Sequence, residues 1–382
     1  MNKIAELISR LCPDGVEFKT LDSLVSYVQP GPYIVSSTEY DAHYSTPVLT
    51  AGQSFILGYT NEEEGIYNAS SQKPVIIFDD FTTSFHWVDF DFKVKSSALK
   101  ILKIKDKQEA DFRYIYMAMK TIHFIPTNHM RHWISLYSKF EIPLPPLNIQ
   151  KEIVSILDSF TSLIDKMKQE VEMRKKQMEY YREKLLAPQK SWEIKTLGEI
   201  GTFTRGNGLQ KSDFRDKGFP CVHYGQIHTY YKTCIYKTKS FCEEDLAKKL
   251  QKASYGDLLI ATTSEDVKAC CKAAVWFGDG DVAYSGDSFR YSHDQNPKYM
   301  AYLFQTEMFA KQKQKAATGA KVVRVSGESM ASFSFAFPPL AQQRQIASIL
   351  DSFETYISKL EQMIELRQKQ YEYYREKLLT FE

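Results

Sequence analysis

One segment occurs twice in this chain, and the repeat restricts the architectures that the chain can adopt. Residues 145–186 and 338–379 align without a gap at a constant offset of 193 residues, and 26 of the 42 aligned positions are identical. Both copies begin with Pro-Pro-Leu and end with the same eight residues, Glu179–Leu186 in the first copy and Glu372–Leu379 in the second. A match of this quality does not arise by chance, and it indicates an internal duplication.

Each copy has the apolar periodicity of a long α-helix. In the first copy, apolar residues recur mostly three and four positions apart, which predicts a helix from about Asn148 to Leu186. The second copy predicts a helix from about Gln342 to Leu379 in the same register. At 1.5 Å per residue, each helix is about 57 Å long. A helix of this length with one apolar stripe needs a partner, and the other copy predicts an antiparallel coiled coil within the chain.

The repeated helices divide the chain into four regions. We expect a first globular domain at 1–146, a first long helix at 147–187, a second globular domain at 188–338 and a second long helix at 339–382. Both domains combine short β-type runs with turn residues, so the predicted fold is α+β, with two globular domains joined by two long helices in a pseudo-twofold repeat. β-type runs occur at 46–50, 55–59, 74–78 and 97–102, with a helical pattern at 112–122, and then at 219–224, 257–261, 273–277 and 322–325.

The two domains begin alike and then diverge. Trp192–Leu197 resembles Val16–Leu21, but the offset between these segments is 176 residues, so the second domain is about 17 residues longer. The later β-type runs of the two domains do not align. The segment at which each domain begins is therefore repeated, while the rest of the two domains differs in sequence.

Composition argues against several classes of protein. The net charge is +2 and the isoelectric point is about 8.0, which is low for a protein that binds DNA unaided. No run of about 18 apolar residues occurs, which predicts a cytoplasmic protein without a membrane partner. The six cysteines include no Cys-x-x-Cys pair, so we expect free thiols rather than a zinc site or a disulfide framework.

The sequence contains no complete catalytic motif. A methyltransferase needs a glycine-rich cofactor loop and an Asn/Asp-Pro-Pro-aromatic motif, and Asn296–Tyr299 lacks the second proline. The Glu-x-Lys elements that begin at Glu17 and Glu193 lack the separately placed carboxylate of a nuclease metal site. We therefore expect no catalytic residue, no metal and no cofactor.

Matching polar residues on the two helices suggest a second role for the repeat. A seam between helices requires only matching hydrophobic residues, yet polar positions that we expect to face outward are also identical. Two equal outer surfaces predict docking of two copies of one partner, although a duplication that has not drifted would give the same pattern. The candidate docking residues are Asp158, Tyr180, Arg182, Asp351, Tyr373 and Arg375.

The order of globular domain, Pro-Pro-Leu-x-x-Gln-x-x-Ile helix, second globular domain and the same helix resembles the DNA-specificity subunit of type I restriction-modification enzymes. The resemblance covers the whole chain, including Tyr224–Gln226 and Thr263–Glu265, which are similar to segments of some target-recognition domains. It implies that each globular domain recognises one half of a bipartite site in double-stranded DNA. It also implies that the helices set the spacer, dock two methyltransferase subunits and, through them, the restriction subunits.

Residue types that recognise bases define the candidate DNA contacts. Arg and Lys bind guanine, Asn and Gln bind adenine, and small hydroxyl or aromatic side chains contact thymine methyl groups and phosphates. The resemblance supplies no fixed base contacts, because recognition domains vary with their target. The candidates in the first domain are Thr50, Gln53, Thr82, Thr83, His86, Arg131 and His132, and those in the second are Arg205, Asn207, Lys211, Tyr224, Gln226, Tyr230, Lys232, Ser264, Glu265, Lys321 and Arg324.

Two other classes of function remain open at this level. The chain can be a coiled-coil scaffold whose globular domains bind proteins and whose long helices pair between chains. It can also be a nuclease or methylase in its own right, which activity of the purified chain without added subunits would show. Pairing of the two helices within one chain favours the DNA-recognition interpretation over the scaffold.

Overall fold

A computed structural model describes residues 6, 9–50, 55–126, 130–319 and 321–381. The chain forms two compact units, of which unit 1 comprises residues 1–168 and 362–382 and unit 2 comprises residues 169–361. Each unit therefore contains a part of both repeated segments. The candidate contact Gln53 lies outside the described residues.

The strands and α-helices of the described residues are as follows. The strands are β1 (Phe18–Thr20), β2 (Val25–Val28), β3 (Thr46–Leu49), β4 (Ile56–Thr60), β5 (Val75–Asp79), β6 (Phe85–Val88), β7 (Lys93–Val94), β8 (Leu99–Ile104), β9 (Glu141–Pro143), β10 (Glu193–Thr196), β11 (Gly201–Arg205), β12 (Phe219–Val222), β13 (Cys234–Ile235), β14 (Ser240–Cys242), β15 (Lys252–Ala253), β16 (Leu258–Ala261), β17 (Thr263–Ser264), β18 (Lys272–Trp276), β19 (Val282–Tyr284), β20 (Ser288–His293), β21 (Val323–Arg324) and β22 (Ser334–Phe337). The helices are α1 (Leu21–Leu24), α2 (Phe112–Met119), α3 (Leu147–Leu186), α4 (Leu197–Ile200), α5 (Tyr224–Thr229), α6 (Glu244–Ala247), α7 (Pro297–Leu303), α8 (Glu307–Ala316), α9 (Gly327–Ala331) and α10 (Leu340–Leu379).

The globular part of unit 1 is a small antiparallel sheet flanked by a second, mixed sheet. Four strands pair in the order β2-β8-β5-β6, and three pair in the order β4-β3-β7. Strand β1 pairs with β9 and brings the start of the domain beside its end. Helix α2 begins at its N-cap Asp111, whose carboxylate accepts hydrogen bonds from the backbone N–H groups of Arg113 and Tyr114.

Unit 2 has the same arrangement with a larger sheet; we call this arrangement, an opening strand paired with a closing strand around two sheets, the frame. Its five-stranded sheet has the order β11-β20-β16-β18-β13, and its second sheet has the order β14-β12-β19-β15. Strand β10 pairs with β22, as β1 pairs with β9 in unit 1. In both units a four-residue helix and then a sheet strand follow the opening strand, so the frame is repeated further into the domains than the sequence alone shows.

The long helices run antiparallel within each unit. In unit 1 the ring of Phe160 on α3 lies 5.5 Å from that of Tyr374 on α10. In unit 2 the ring of Tyr181 on α3 stacks on Phe353 of α10, also at 5.5 Å. Lys175 of α3 also forms an ion pair with Glu361 of α10 at 3.1 Å in unit 2, so residue numbers on α3 rise from 175 to 181 as those on α10 fall from 361 to 353. This is the antiparallel arrangement that the repeat predicts. The predicted pairing of the two helices within one chain is confirmed.

A buried glutamine fixes the first long helix to the globular part of unit 1. The side chain of Gln150 is fully buried, and its Oε1 accepts a hydrogen bond from the backbone N–H of Asp111 at 2.8 Å. Its Nε2 donates to the carbonyl of Pro145 at 2.7 Å. In the first turn of α2, Arg113 donates from Nη2 to Oδ1 of Asp158 at 2.9 Å. Cap, glutamine and ion pair together hold α2 against α3, and we call them the junction contacts of unit 1.

Unit 2 makes the same junction contacts with equivalent residues. Gln343 is 1% exposed, and its Oε1 accepts from the backbone N–H of the α7 N-cap Asn296 at 3.0 Å, while its Nε2 donates to the equivalent proline carbonyl at 2.9 Å. Lys298 in the first turn of α7 forms an ion pair with Asp351. Tyr302 adds a hydrogen bond to Asp351 Oδ1 at 2.8 Å. In both units an aliphatic and aromatic core packs beside these polar groups.

Most predicted elements are confirmed, with shifts at their ends. The two long helices begin at Leu147 and Leu340 and end at Leu186 and Leu379, within two residues of the predicted limits. All eight predicted strand runs contain a strand, and the predicted helix at 112–122 ends earlier, at Met119. Within the described residues, every helix is too short or too polar to cross a bilayer.

Candidate nucleic-acid interface

In unit 2, three segments that are distant in sequence meet at the loop Ser285–Asp287. Arg205 at the end of β11 donates from Nε to the carbonyl of Gly286 at 3.0 Å. The backbone N–H of Tyr224 at the start of α5 donates to Ser285 Oγ at 2.9 Å. Thr263 on β17 donates to Asp287 Oδ1 at 3.2 Å. The loop therefore brings candidates from β11, α5 and β17 to one surface.

An open cavity of about 360 Å³ lies beside this loop. Its lining combines the exposed Lys211, the half-buried Tyr224 and the backbone of Gly286 with the carboxylate of Asp287. A lysine ammonium group attracts phosphate, and a carboxylate can accept a hydrogen bond from a cytosine amino group. The cavity thus offers groups for both backbone and base contacts.

His223 at the edge of the cavity is held neutral by its surroundings. Its burial, and secondarily the positive charge of Lys211, lower its pKa. Its Nδ1 accepts a hydrogen bond from the backbone N–H of Gly225 at 3.1 Å, so the histidine caps α5. His223 therefore positions Tyr224 without adding positive charge to the cavity.

A close approach of backbone explains a glycine in this site. A Cβ atom on Gly206 would lie 2.2 Å from the carbonyl oxygen of Ser285, which no side chain tolerates. The loop Ser285–Asp287 and Gly206 were not among the sequence candidates. Gly206 and Gly208, which flank Asn207, are the sequence signal from which this turn could have been predicted.

Two of the amide candidates have structural partners. Asn207 donates from Nδ2 to the carbonyl of Lys249 at 2.9 Å, and its Oδ1 accepts from the backbone N–H of Gln251 at 2.7 Å. Gln226 accepts from the backbone N–H of His223 and donates to Ser240. Both amides bind within the domain at their oxygen and nitrogen ends, and a base contact would have to replace these bonds.

The remaining candidates of unit 2 lie in two places. Thr263 pairs with Arg324 across the short ladder of β17 and β21, so Ser264, Glu265, Lys321 and Arg324 belong to the same strand pair and its flanks. Because Thr263 is also bonded to Asp287, this ladder borders the cavity loop. Tyr230 and Lys232 lie beyond the far end of α5, where Tyr230 is exposed and Lys232 forms an ion pair with Glu361 of α10 at 2.8 Å.

In unit 1, the candidates Thr82 and Thr83 lie in the turn between β5 and β6. Asp79 Oδ1 accepts from the backbone N–H groups of Phe81 at 2.7 Å and Thr82 at 3.0 Å, which shapes the turn. Thr83 follows with a positive φ of 57°, a conformation that costs a β-branched residue free energy. Thr82 is exposed and Thr83 is buried, so only the first of the two threonines is open to a ligand.

A buried ion pair anchors Arg131 and His132 beside this turn. Asp80 and Lys100 are each 1% exposed and lie 3.3 Å apart. Asp80 also accepts hydrogen bonds from the backbone N–H groups of His132 and Trp133, each at 2.8 Å. His132 is consequently buried, whereas Arg131 is exposed at the turn.

His86 on β6 and Thr50, which directly follows β3, both contact Phe55 in unit 1. His86 on β6 stacks on Phe55 with ring centres 4.3 Å apart. Burial, and then the charge of Lys120, lower its pKa, so its ring is held neutral. Thr50 donates its backbone N–H to Phe55 at 3.0 Å. Unit 1 therefore presents Thr82 and Arg131 as exposed candidates, whereas His86 is partly buried.

Asp158 and Asp351, which we expected to face outward, are partly exposed, at 39% and 27%, and are bound within their units. Both carboxylates belong to the junction contacts, where Arg113 and Lys298 bind them. The physical reason is that each long helix has a globular domain on one polar flank as well as a second helix on its apolar flank. Identity at these two positions is therefore explained by a contact within each unit.

The other docking candidates divide into exposed tyrosines and partly covered arginines. Tyr180 is 59% exposed and Tyr373 is 57% exposed. Arg182 lies 3.5 Å from Glu183 on its own helix, and Arg375 is half-buried. The tyrosines are the candidates that are most accessible to a partner.

Exposed apolar residues recur at equivalent positions of the two long helices. The offset of 193 residues relates Leu163 to Tyr356, Met173 to Leu366 and Tyr180 to Tyr373, and all six side chains are at least 42% exposed. Unit 1 carries Leu163, Leu366 and Tyr373, whereas unit 2 carries Tyr356, Met173 and Tyr180. Each unit therefore presents one complete set of the three positions, and we call these sets the apolar faces.

Comparison with known proteins agrees with this arrangement. The model of the type I restriction modification DNA specificity domain matches residues 13–173 and again residues 189–368. The chain belongs to this family. The EcoR124I/EcoR124II specificity subunit of Escherichia coli is 36% identical over 388 residues, which cover 96% of this chain and 95% of that protein. The MjaVIII specificity subunit of Methanocaldococcus jannaschii is 22% identical and covers 90% of this chain and 87% of its own length.

Solved structures show the same fold for this specificity subunit. The crystal structure of the S subunit of a type I restriction-modification system from M. genitalium has a TM-score of 0.59 at 16% identity and covers 95% of this chain and 96% of its own. A chain from a study of complex assembly and conformational transition of the type I system has a TM-score of 0.56 at 13% identity, covering 96% and 98%. The two family domains fall on the two repeats, and the α+β fold with paired helices is shared.

Proposed function

We propose that this specificity subunit recognises a bipartite site in double-stranded DNA, with one half-site bound by the globular domain of each unit. The observation that carries the proposal is the repeated frame with unequal loops. Strand pairs β1–β9 and β10–β22 and both sets of junction contacts are equivalent, whereas the sheets and loops between them differ in length and strand arrangement. Equal frames with different surfaces are expected if each domain recognises a different sequence.

The long helices have two roles in this proposal. As continuous helices of 40 residues each, they provide a spacer of fixed length for the bases that neither domain contacts. Their apolar faces dock modification subunits, which supply the chemistry that this chain lacks, and restriction subunits join through them. One apolar face in each unit gives two modification subunits.

The near-neutral charge is consistent with a DNA interface to which other subunits of the complex also contribute. A net charge of +2 provides few of the phosphate contacts that dominate DNA affinity. The isolated subunit is therefore expected to bind DNA weakly, and the assembled complex more tightly. Equal affinity of the isolated subunit and the complex for one bipartite duplex would contradict this part of the proposal.

Adenine methylation in cells tests recognition directly. Cells that express this chain with its modification subunit are expected to methylate a motif with two specified halves and an unspecified spacer. Lys211→Ala with Tyr224→Ala is expected to relax or abolish recognition of one half, and Thr82→Ala with Arg131→Ala is expected to affect the other. A continuous motif, or identical effects of the two double variants, would count against the proposal.

Stoichiometry tests docking separately. Met173→Ala with Tyr180→Ala removes two of the three apolar positions of unit 2, and native mass spectrometry is expected to show one modification subunit instead of two. Leu366→Ala with Tyr373→Ala is the equivalent change in unit 1 and is expected to give the same result. The control, Lys168→Ala with Lys176→Ala, alters exposed residues of the same helix and leaves two subunits bound. Two bound subunits in all variants would exclude these faces as docking sites.

A further inference from the structure

Unit 1 contains a cavity that neither the candidate DNA contacts nor the apolar faces use. Its volume is about 560 Å³, within the range of small-molecule sites. It is bordered by the segment Tyr67–Val75, the end of β8 and the beginnings of α2 and α3. Trp87 lines the cavity at one end of the β5–β6 hairpin, opposite Ile76, whereas the turn with Thr82 lies at the other end. The cavity and the candidate DNA surface are therefore at opposite ends of the sheet.

Four lysines line the cavity: Lys73, Lys103, Lys107 and Lys151. All four are exposed, and the ion pairs found in the described part of unit 1 involve other basic residues, such as Lys93 and Lys100. The one carboxylate of the lining, Asp111, is occupied as the N-cap of α2. The cavity therefore has a marked excess of positive charge, although the whole chain is nearly neutral.

The deeper wall of the cavity is aromatic and apolar. Trp87 is half-buried, and the guanidinium group of Arg113 lies over its ring at 4.9 Å. Tyr67 and Phe112 are buried, and the Lys103 ammonium group lies 5.3 Å from the centre of the Tyr67 ring. Exposed ammonium groups at the rim with an aromatic wall beneath match a ligand that is anionic at one end and flat and apolar at the other.

We propose that this cavity binds a free nucleotide, with its phosphates on the rim lysines and its base against Trp87. Lysine ammonium groups bind phosphate through charge-assisted hydrogen bonds, and a base stacks on an aromatic or guanidinium plane. The backbone of a duplex offers the same phosphates, but its bases remain stacked inside the helix and do not reach an aromatic wall. A free nucleotide supplies both chemistries at once.

The ligand would lie next to the junction contacts of unit 1. Arg113 lines the cavity and is the residue that binds Asp158 of the first long helix. Nucleotide phosphates and the Asp158 carboxylate are both acceptors for this guanidinium group. Occupancy of the cavity is therefore coupled to the contact between α2 and α3.

Tryptophan emission of the full chain provides the test. Of the four tryptophans, Trp133, Trp192 and Trp276 are at most 6% exposed, so Trp87 is the accessible reporter. Titration with AMP is expected to change the emission saturably, and adenosine or inorganic phosphate alone is expected to bind at least about tenfold more weakly. Trp87→Phe is expected to abolish the signal.

Charge-matched variants distinguish binding at this cavity from nonspecific electrostatic attraction of AMP to the protein. Lys103→Ala with Lys107→Ala is expected to raise the Kd for AMP about tenfold or more, because two charge-assisted contacts are removed. Lys139→Ala with Lys190→Ala removes the same charge from exposed positions outside the cavity and is expected to leave the Kd unchanged. Circular dichroism establishes that all variants are folded.

Four results would overturn the proposal. Phosphate that binds as tightly as AMP would reduce the cavity to an anion site. A short duplex that changes Trp87 emission at lower concentrations than AMP would assign the cavity to the DNA surface. Equal effects of the two lysine pairs, or no saturable change with AMP, would exclude a nucleotide site.

Discussion

Units 1 and 2 have the same frame, but they use different chemistry at equivalent positions. In unit 1 the N-cap of α2 is an aspartate and the ion pair is Arg113 with Asp158. In unit 2 the N-cap of α7 is an asparagine and the pair is Lys298 with Asp351, to which Tyr302 also donates. The buried glutamine on each long helix is the same residue type, with the same two hydrogen bonds.

The difference indicates which contacts tolerate change. The glutamine must match a backbone donor and a backbone acceptor at the same time, which no other side chain of its size and neutral charge can do. The ion pair requires only opposite charges at a half-exposed position, so arginine and lysine are both found there. The following changes test this ranking between the two units.

The largest effect is expected from removing a junction glutamine. Gln150→Ala leaves a buried N–H and a buried carbonyl without partners and is expected to cost unit 1 roughly 3–5 kcal/mol. Gln343→Ala is expected to cost unit 2 a similar amount. Hydrogen exchange resolved by peptide should show the loss in the unit that carries the change. Equal loss of protection in both units after one substitution would show that the junctions do not act separately.

Acid is expected to weaken unit 2 through His293. Burial lowers the pKa of His293 from 6.5 to about 4, although Asp257, Asp294 and a hydrogen bond with the backbone of Gln295 oppose the shift. The unfolded chain binds the proton first, so the contribution is complete above pH 6.5 and is lost as the pH falls from 6.5 to about 4. The loss is about 3 kcal/mol at most.

His293→Gln provides the control for this pH dependence. The variant cannot protonate, so the stability of unit 2 is expected to vary less between pH 6.5 and 4 than in the unaltered chain. Thermal unfolding followed at several pH values gives the comparison. An unchanged pH profile in the variant would assign the acid sensitivity to other groups.

Smaller effects are expected from the two junction ion pairs, and they should differ. Asp351→Asn weakens an ion pair and a tyrosine hydrogen bond and is expected to cost about 1–2 kcal/mol, whereas Asp158→Asn weakens one half-exposed ion pair and should cost about 1 kcal/mol or less. When Asp351→Asn is made in a Tyr302→Phe background, where the tyrosine hydrogen bond is already absent, its additional cost is expected to approach that of Asp158→Asn. Chemical denaturation gives the three values, and a larger cost for Asp158→Asn would reverse the ranking.

The smallest effect concerns the surface pair of Lys232 and Glu361. Their side chains are 59% and 37% exposed, and such pairs contribute about 0.2–1 kcal/mol. A double-mutant cycle with Lys232→Ala and Glu361→Ala is expected to give a coupling energy in that range. A value near zero would leave Lys232 free to serve as a DNA contact, as its sequence context predicted.

The long helices were predictable because a spacing of three and four persists over many turns, which averages out local exceptions. Strands such as β2 and β6 were missed because each has four residues and an irregular pattern of burial. Family and overall fold followed from the repeated Pro-Pro-Leu-x-x-Gln-x-x-Ile segment. Its glutamine proved to be structural, a role that only the position of the α2 and α7 caps reveals.

The candidate site was less predictable than the fold. Arg205, Lys211 and Tyr224 come together because the loop Ser285–Asp287 folds between them, and no sequence spacing encodes that contact. Gln226 looked like a base contact by residue type but binds inside its own domain. Asp158 and Asp351 looked like surface residues because helical periodicity does not tell which polar flank a domain covers.

The junction contacts have a consequence for how such a protein changes over generations. Asp111, Arg113, Gln150 and Asp158 include none of the candidate base contacts of unit 1, and the same holds for their equivalents in unit 2. Loops such as the turn at Thr82 can therefore be rewritten by mutation or exchange without altering what fixes a domain to its helix. Specificity can evolve because the residues of the recognition loops are different from the residues that fix each domain to its long helix.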